Sequence, residues 1–127
     1  MADSSAEPTP DVHAFDRAAL LERVGGDEAL ADELIEIFLA DCPVRLREVE
    51  SAFAAGDAAR TAAAAHAIKG AALNLSAHRI AGAAEALESA GRAGKLDDAG
   101  TLVAVLRREV DDLVTRMAQS RGEGDRR

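Results

Sequence analysis

The sequence predicts an all-α protein, an up-down four-helix bundle with a short additional N-terminal helix. Three observations carry that expectation. Alanine and leucine dominate, tyrosine and tryptophan are absent, and the aromatics are Phe15, Phe38 and Phe53, a balance that favours helices over strands. Between the chain ends the apolar residues recur at three-and-four spacing. Glycine followed by a good N-cap residue punctuates the chain at Gly25-Gly26-Asp27, at Gly56-Asp57 and through "GKLDD" from Gly94, so that each mark ends one helix and begins another. At 127 residues and 13.2 kDa, one domain with a single core is the expected unit.

Taken in order, residues 1–11, "MADSSAEPTPD", have the serine, proline and acid content of a disordered tail, and residues 121–127 close the chain in the same way. The domain is expected over 12–120. A short helix from about Phe15 to Val24 gives Leu20, Leu21 and Val24 to the core. The next stripe is Leu30, Leu34, Phe38, Cys42, Val49 and Phe53, interrupted by Pro43, which is expected to kink that helix or split it. A further stripe runs Thr61, Ala65, Ile68, Ala72 and Leu75. Ile80, Ala84, Leu87 and Gly91 form another, and Leu102, Leu106, Val110, Leu113 and Met117 the last. Ser76 is expected to N-cap the helix that carries Ile80 and Leu87, closing a tight hairpin behind His66. Four amphipathic helices with short connections can bury their core as a monomer.

The formal net charge of −8 and a pI near 4.8 argue against a nucleic-acid or anionic-membrane surface, which needs a basic footprint. No run of eighteen apolar residues occurs, and the opening residues are acidic and polar, so a soluble, cytoplasmic protein is expected. Cys42 is the single cysteine; it excludes an internal disulfide and fits a reducing compartment.

One segment departs from helix filler. In "AAAAHAIKGAALNLSAHR", residues 62–79, a glycine interrupts an alanine-rich helix at a cost of about 1 kcal/mol relative to alanine. With Ile68 at the centre of the buried face and about 100° per residue, His66 and Gly70 each fall about 160° away, on opposite sides. The histidine therefore points out of the bundle. Its neighbours there are Ala62, Ala63, Gly70 and Leu73, with Lys69 at one edge. No acid occurs from Ala58 to Ala84, whereas Arg60, Lys69 and Arg79 are basic. Such a cationic patch suits a phosphoryl group on the imidazole and an acidic partner site. Taken alone, His66 reads as a solvated polar residue, Lys69 as a lysine on a helix edge, and Gly70 as a close helix contact. The combination of lysine at three, glycine at four and an acid-free neighbourhood displaces the first of these, and the outward angle disfavours the last.

The arrangement resembles the histidine phosphotransfer (HPt) domains of multistep bacterial phosphorelays. The resemblance is carried by "AHAIKGAALNLSA" at 65–77 and "ALESAGRAGK" at 86–95, with "FLADCP" and "AFAAGD" before them. It implies that His66 is phosphorylated from the aspartyl phosphate of a receiver domain and passes the group to another receiver, the partners being a hybrid histidine kinase, a response regulator, or both. It also implies that Lys69 offsets phosphoryl charge, that Gly70 keeps the approach clear, and that Ala62, Ala63, Leu73, Arg60 and Arg79 face the docked partner. No cofactor of its own is expected, Mg²⁺ belonging to the receiver's carboxylates. In some relatives a carboxylate orients the ring through its second nitrogen; Glu85 and Glu88 are the candidates here, although both read first as ordinary surface acids. Many members have glycine at the position of Ser76.

Other chemistries lack their residues. The positions three and four from His66 are Ala62, Ala63, Lys69 and Gly70, so no metal site is expected. Neither a nucleophile elbow nor a glycine-rich phosphate loop is present, and a phosphocarrier rather than an enzyme is expected. Two alternatives stay open: a helical adaptor whose histidine is never phosphorylated, and a direct substrate domain of a histidine kinase, for which the short tails leave no room for a linked kinase domain.

Overall fold

The computed structural model describes residues 15–125, with side chains described through residue 118. Among the described residues there are five helices and no strand: α1 (Arg17–Arg23), α2 (Glu28–Ala54), α3 (Ala58–Asn74), α4 (His78–Arg92) and α5 (Gly100–Asp125). The last four close a ring, α3 packing on α2 and α4, and α5 on α4 and α2. At about 1.5 Å per residue, α2 and α5 are far longer than the α3–α4 hairpin, and α1 packs against α2. At the hairpin turn the Asp16 N–H donates to the Ser76 carbonyl at 3.4 Å.

Local chemistry sets the helix ends. Asp16, Asp27 and Asp57 each accept a backbone N–H of the first turn, from Ala19, Leu30 and Arg60 respectively, at 3.0 Å; the caps expected at Asp27 and Asp57 form, and Asp16 adds one to α1. Four helices end in the same way. The residue after the C-cap adopts a left-handed conformation, and the residue beyond it donates back to a carbonyl one turn and a half earlier. The pairs are Gly26 to Leu21, Asp57 to Ala52, Ala77 to Ala72 and Lys95 to Ala90. Three of the left-handed positions are Gly25, Gly56 and Gly94; the fourth is Ser76, at φ 60°.

Several expectations are corrected. Ser76 does not cap α4: its N-cap is Ala77, with no side-chain cap bond. Ser76 instead ends α3 in the backbone region where glycine costs least. Pro43 does not split α2, which runs as one helix from Glu28 to Ala54. The missing N–H costs one hydrogen bond, but Phe38, Cys42, Leu46 and Val49 lie buried on one face across the proline and hold the two halves together. The core face of α2 is also rotated from the expected stripe. Ala31, Ile35 and Leu46 are buried, whereas Leu30 is exposed, because a helix packed between two neighbours buries a broad face. Asp97 and Asp98 precede α5 without starting it; the first bond of that helix runs from Val103 N–H to Ala99 O. α5 is helical through Asp125, past residue 120, the expected end of the domain. The tail at 1–11 lies outside the described residues.

The other stripes form largely as expected, except that Leu102 is only partly buried and Val103 takes the core position on α5. Thr61, Ala65, Ile68, Ala72 and Leu75 are buried, as are Ile80, Ala84 and Leu87 and, on α5, Leu106, Val110, Leu113 and Met117, while Leu21 and Val24 pack at the core margin behind buried Leu20. Cys42 is part of this core, and burial pushes its thiol up to about 12, so it is an inert packing residue.

Candidate functional site

The site is built on the α3–α4 pair. These helices approach closely because Gly91 of α4 faces Ala58 and Ala62 of α3: a Cβ added at Gly91 would lie 2.9 Å from both Ala58 O and Ala62 Cβ. That contact buries Ala62, so Ala62 belongs to the helix interface and not to the outward face where the sequence placed it. His66 does point outward, its side chain 60 % exposed, with Ala63 and Gly70 exposed on the same helix. A Cβ at Gly70 would meet nothing within 4 Å. Leu73 is exposed on α3, and Leu30, Ile37 and Val44 are exposed on α2.

The deciding contact comes from α4. Glu88 is buried, its side chain only 4 % exposed, and its Oε2 lies 2.9 Å from His66 Nδ1. Lys69 Nζ, 24 % exposed, lies 3.0 Å from Oε1. Oε1 accepts no hydrogen bond of good geometry, so the ammonium acts on it as a charge partner. Arg92, one turn further along α4, also pairs with Oε2. Lys69 beside Glu88 holds the carboxyl below the ordinary glutamate range against the opposite pull of burial, and His66 and Arg92 add to the effect. Glu88 is therefore ionised at neutral pH and accepts only. Nδ1 of His66 must then be the donor, which leaves the lone pair of a neutral ring on Nε2.

This overturns the reading of Glu88 as a surface acid. Glu85 stands exposed on α4 and takes no part in the contact. A signal was present in the sequence: Ala81, Ala84, Glu88 and Gly91 follow the helical period, which puts one acid in a stripe of small residues. Arg92, four residues on, was not singled out at all.

The acid-free run is not acid-free in space. Arg60 pairs with Glu48 of α2 at 3.1 Å, and Arg79 with Glu109 of α5 at 2.7 Å. Neighbouring helices supply the acids that this stretch of α3 and α4 lacks, so the cations gathered at His66 are Lys69 and Arg92. No group of three or more His, Cys, Asp or Glu side chains is placed to hold a metal ion among the described residues, and no described helix is long and apolar enough to cross a membrane.

Comparison with known proteins places the chain in a family. The family described as the Hpt domain matches residues 33–118, which include α3, α4 and most of α2 and α5. The chain is an Hpt domain. Two solved structures share its fold: histidine-containing phosphotransfer protein B (HptB) from Pseudomonas aeruginosa PAO1, with 29 % identity, 94 % of this chain and 98 % of that one covered and a TM-score of 0.73, and the HPT domain of a sensor hybrid histidine kinase from Shewanella, with 18 % identity, 89 % and 97 % covered and a TM-score of 0.79. No curated protein sequence matches the chain. As an Hpt domain it has a phosphotransfer role in phosphorelay signalling. The left-handed Ser76 also gives a physical reason for the glycine that many Hpt domains have at that position.

Proposed function

We propose that this Hpt domain carries a phosphoryl group on His66, taking it from the aspartyl phosphate of one receiver domain and giving it to another. The observation that carries the reading is the hydrogen bond at 2.9 Å between Nδ1 of an exposed imidazole and a buried, ionised Glu88. It holds Nδ1 as the donor, so that in the neutral ring the lone pair lies on Nε2, as an attacking nitrogen requires. In the forward step the Nε2–P bond forms and the P–O bond to the receiver's aspartate breaks, the carboxylate leaving with the electron pair. The proton on Nδ1 stays in place, and Glu88 offsets the positive charge that develops on the ring. Lys69 adds its field from Oε1, and Mg²⁺ belongs to the receiver's own carboxylates. Ala63, Gly70 and Leu73 form the face that the receiver covers, and the absence of a side chain at Gly70 lets it come close.

The test is incubation with phosphorylated candidate receivers, following label into the chain. An acid-labile, alkali-stable phosphate is expected on the wild type. His66→Gln should take up no label and still fold, with stability lowered by at most about 1–3 kcal/mol through loss of the hydrogen bond to buried Glu88. Label retained in His66→Gln would refute the assignment of the residue, and a wild type labelled by no receiver would leave the adaptor reading standing.

A further inference from the structure

The Glu88 cluster holds one positive charge more than it needs. A single carboxylate faces both Lys69 and Arg92, while its third partner, His66, is neutral when Nε2 carries the lone pair. Two buried or half-buried charges, Glu88 and Lys69, already satisfy each other. Arg92 is the surplus cation, and it is the exposed one, its side chain 68 % accessible against 24 % for Lys69. It also shares Oε2 with the His66 ring, whereas Lys69 sits on Oε1. One oxygen thus places the guanidinium beside the imidazole. Ala62 and Ala63 occupy the α3 turn that precedes His66, toward which a helical side chain at His66 leans, so no bulky side chain on that turn separates the ring from Arg92.

A phosphoryl group on Nε2 changes the balance. It brings two negative charges, and the ring, still protonated on Nδ1, becomes positive. The cluster then moves from one net positive charge to neutrality. A guanidinium has five donors in a planar fork that matches phosphoryl oxygens, and an exposed one can leave a carboxylate that a lysine still neutralises at small cost.

Resting on the phosphocarrier reading above, we infer that Arg92 is a phosphoryl-binding residue, releasing Oε2 to clamp the phosphoryl oxygens as the Nε2–P bond forms, while Lys69 remains on Oε1. Lys69 keeps Glu88 ionised and in place, and Arg92 meets the new charge.

The experiment uses phosphoramidate, whose P–N bond breaks with loss of ammonia as Nε2–P forms, so that no receiver is needed. Failure of the wild type to be labelled on His66 would sink the phosphocarrier reading itself, before Arg92 is at issue. Given labelling, Arg92→Ala should slow it by about tenfold, and Arg92→Lys, which keeps the charge but not the planar fork, should restore only part of the rate. The Arg92 Nε–Hε resonance of the wild type should shift on phosphorylation, with the Lys69 ammonium signal moving less. The decisive arm is a Glu88→Gln background. If Arg92 merely steadies Glu88, Arg92→Ala will cost nothing further there; if it binds the phosphoryl group, the loss persists. An unshifted Arg92 resonance, or a loss that disappears in Glu88→Gln, would overturn the inference.

Discussion

Gly70 lies inside α3, where it costs the helix about 1 kcal/mol relative to alanine, and Gly91 lies in the last turn of α4; the two stand in opposite surroundings. At Gly91 a methyl group would collide with backbone and side chain of α3, with contacts of 2.9 Å to Ala58 O and Ala62 Cβ; at Gly70 it would meet nothing within 4 Å. Gly91 is therefore a packing residue that lets α4 approach α3, and it lies one turn from Glu88, whose hydrogen bond to His66 depends on that approach. Gly70 serves no contact inside the fold. One glycine lets α4 come close to α3, and the other leaves open space on the helix face that carries His66. The lesson is that a glycine in a helix has two distinct physical causes, which spacing from the core face separates only partly.

The comparison yields a graded set of expected outcomes. The largest is Gly70→Gln, which adds a long side chain one turn from His66. Misplacing reacting groups by about 1 Å can cost around a hundredfold, so phosphate exchange with receivers should fall by roughly that factor. Phosphoramidate labelling and the melting midpoint should stay near wild type. Normal exchange in the folded variant would show that Gly70 is not there for docking.

Gly91→Ala comes next. Forcing a methyl group against backbone costs about 1–3 kcal/mol, partly offset by the gain in helix propensity, so denaturant unfolding should report a net loss of about 1–2 kcal/mol. The His66 Nδ1–H signal should weaken as the helices separate. A variant more stable than wild type would remove the close-approach argument.

Gly70→Ala should move stability the other way. With open space for the methyl group, the fold should gain up to about 1 kcal/mol, read as a higher midpoint in urea at unchanged slope. A loss of stability would mean that the face is packed after all.

The smallest expected effect belongs to the third kind of glycine position, the left-handed helix end. Ser76→Gly should relieve the cost of φ 60° in a non-glycine residue and stabilise the protein by about 0.5–1 kcal/mol, visible as a modest rise in the thermal midpoint. A drop would show that the buried serine side chain contributes more than the backbone strain removes.

Much of this molecule was determined by sequence alone. The three-and-four spacing located the helices, the Gly-Asp pairs at residues 26–27 and 56–57 marked two of their boundaries, and the angle from Ile68 turned His66 and Gly70 outward, because each of these depends on residues within one or two turns of the same chain segment. Serine at 76 misled for a local reason: the residue type that favours an N-cap is also tolerated in the left-handed position when the turn demands it. What the tertiary structure alone decided is how separate helices meet. Hydrophobic period fixes the face that a helix buries relative to its own axis, but not the rotation and register of its neighbour. Glu88 became the buried partner of His66 and Lys69, Ala62 became interface instead of surface, and Glu48 and Glu109 neutralised Arg60 and Arg79, each through a contact with another helix. Charge partners and close approaches of that kind span 12 to 30 residues of sequence, and packing, not local propensity, brings them together.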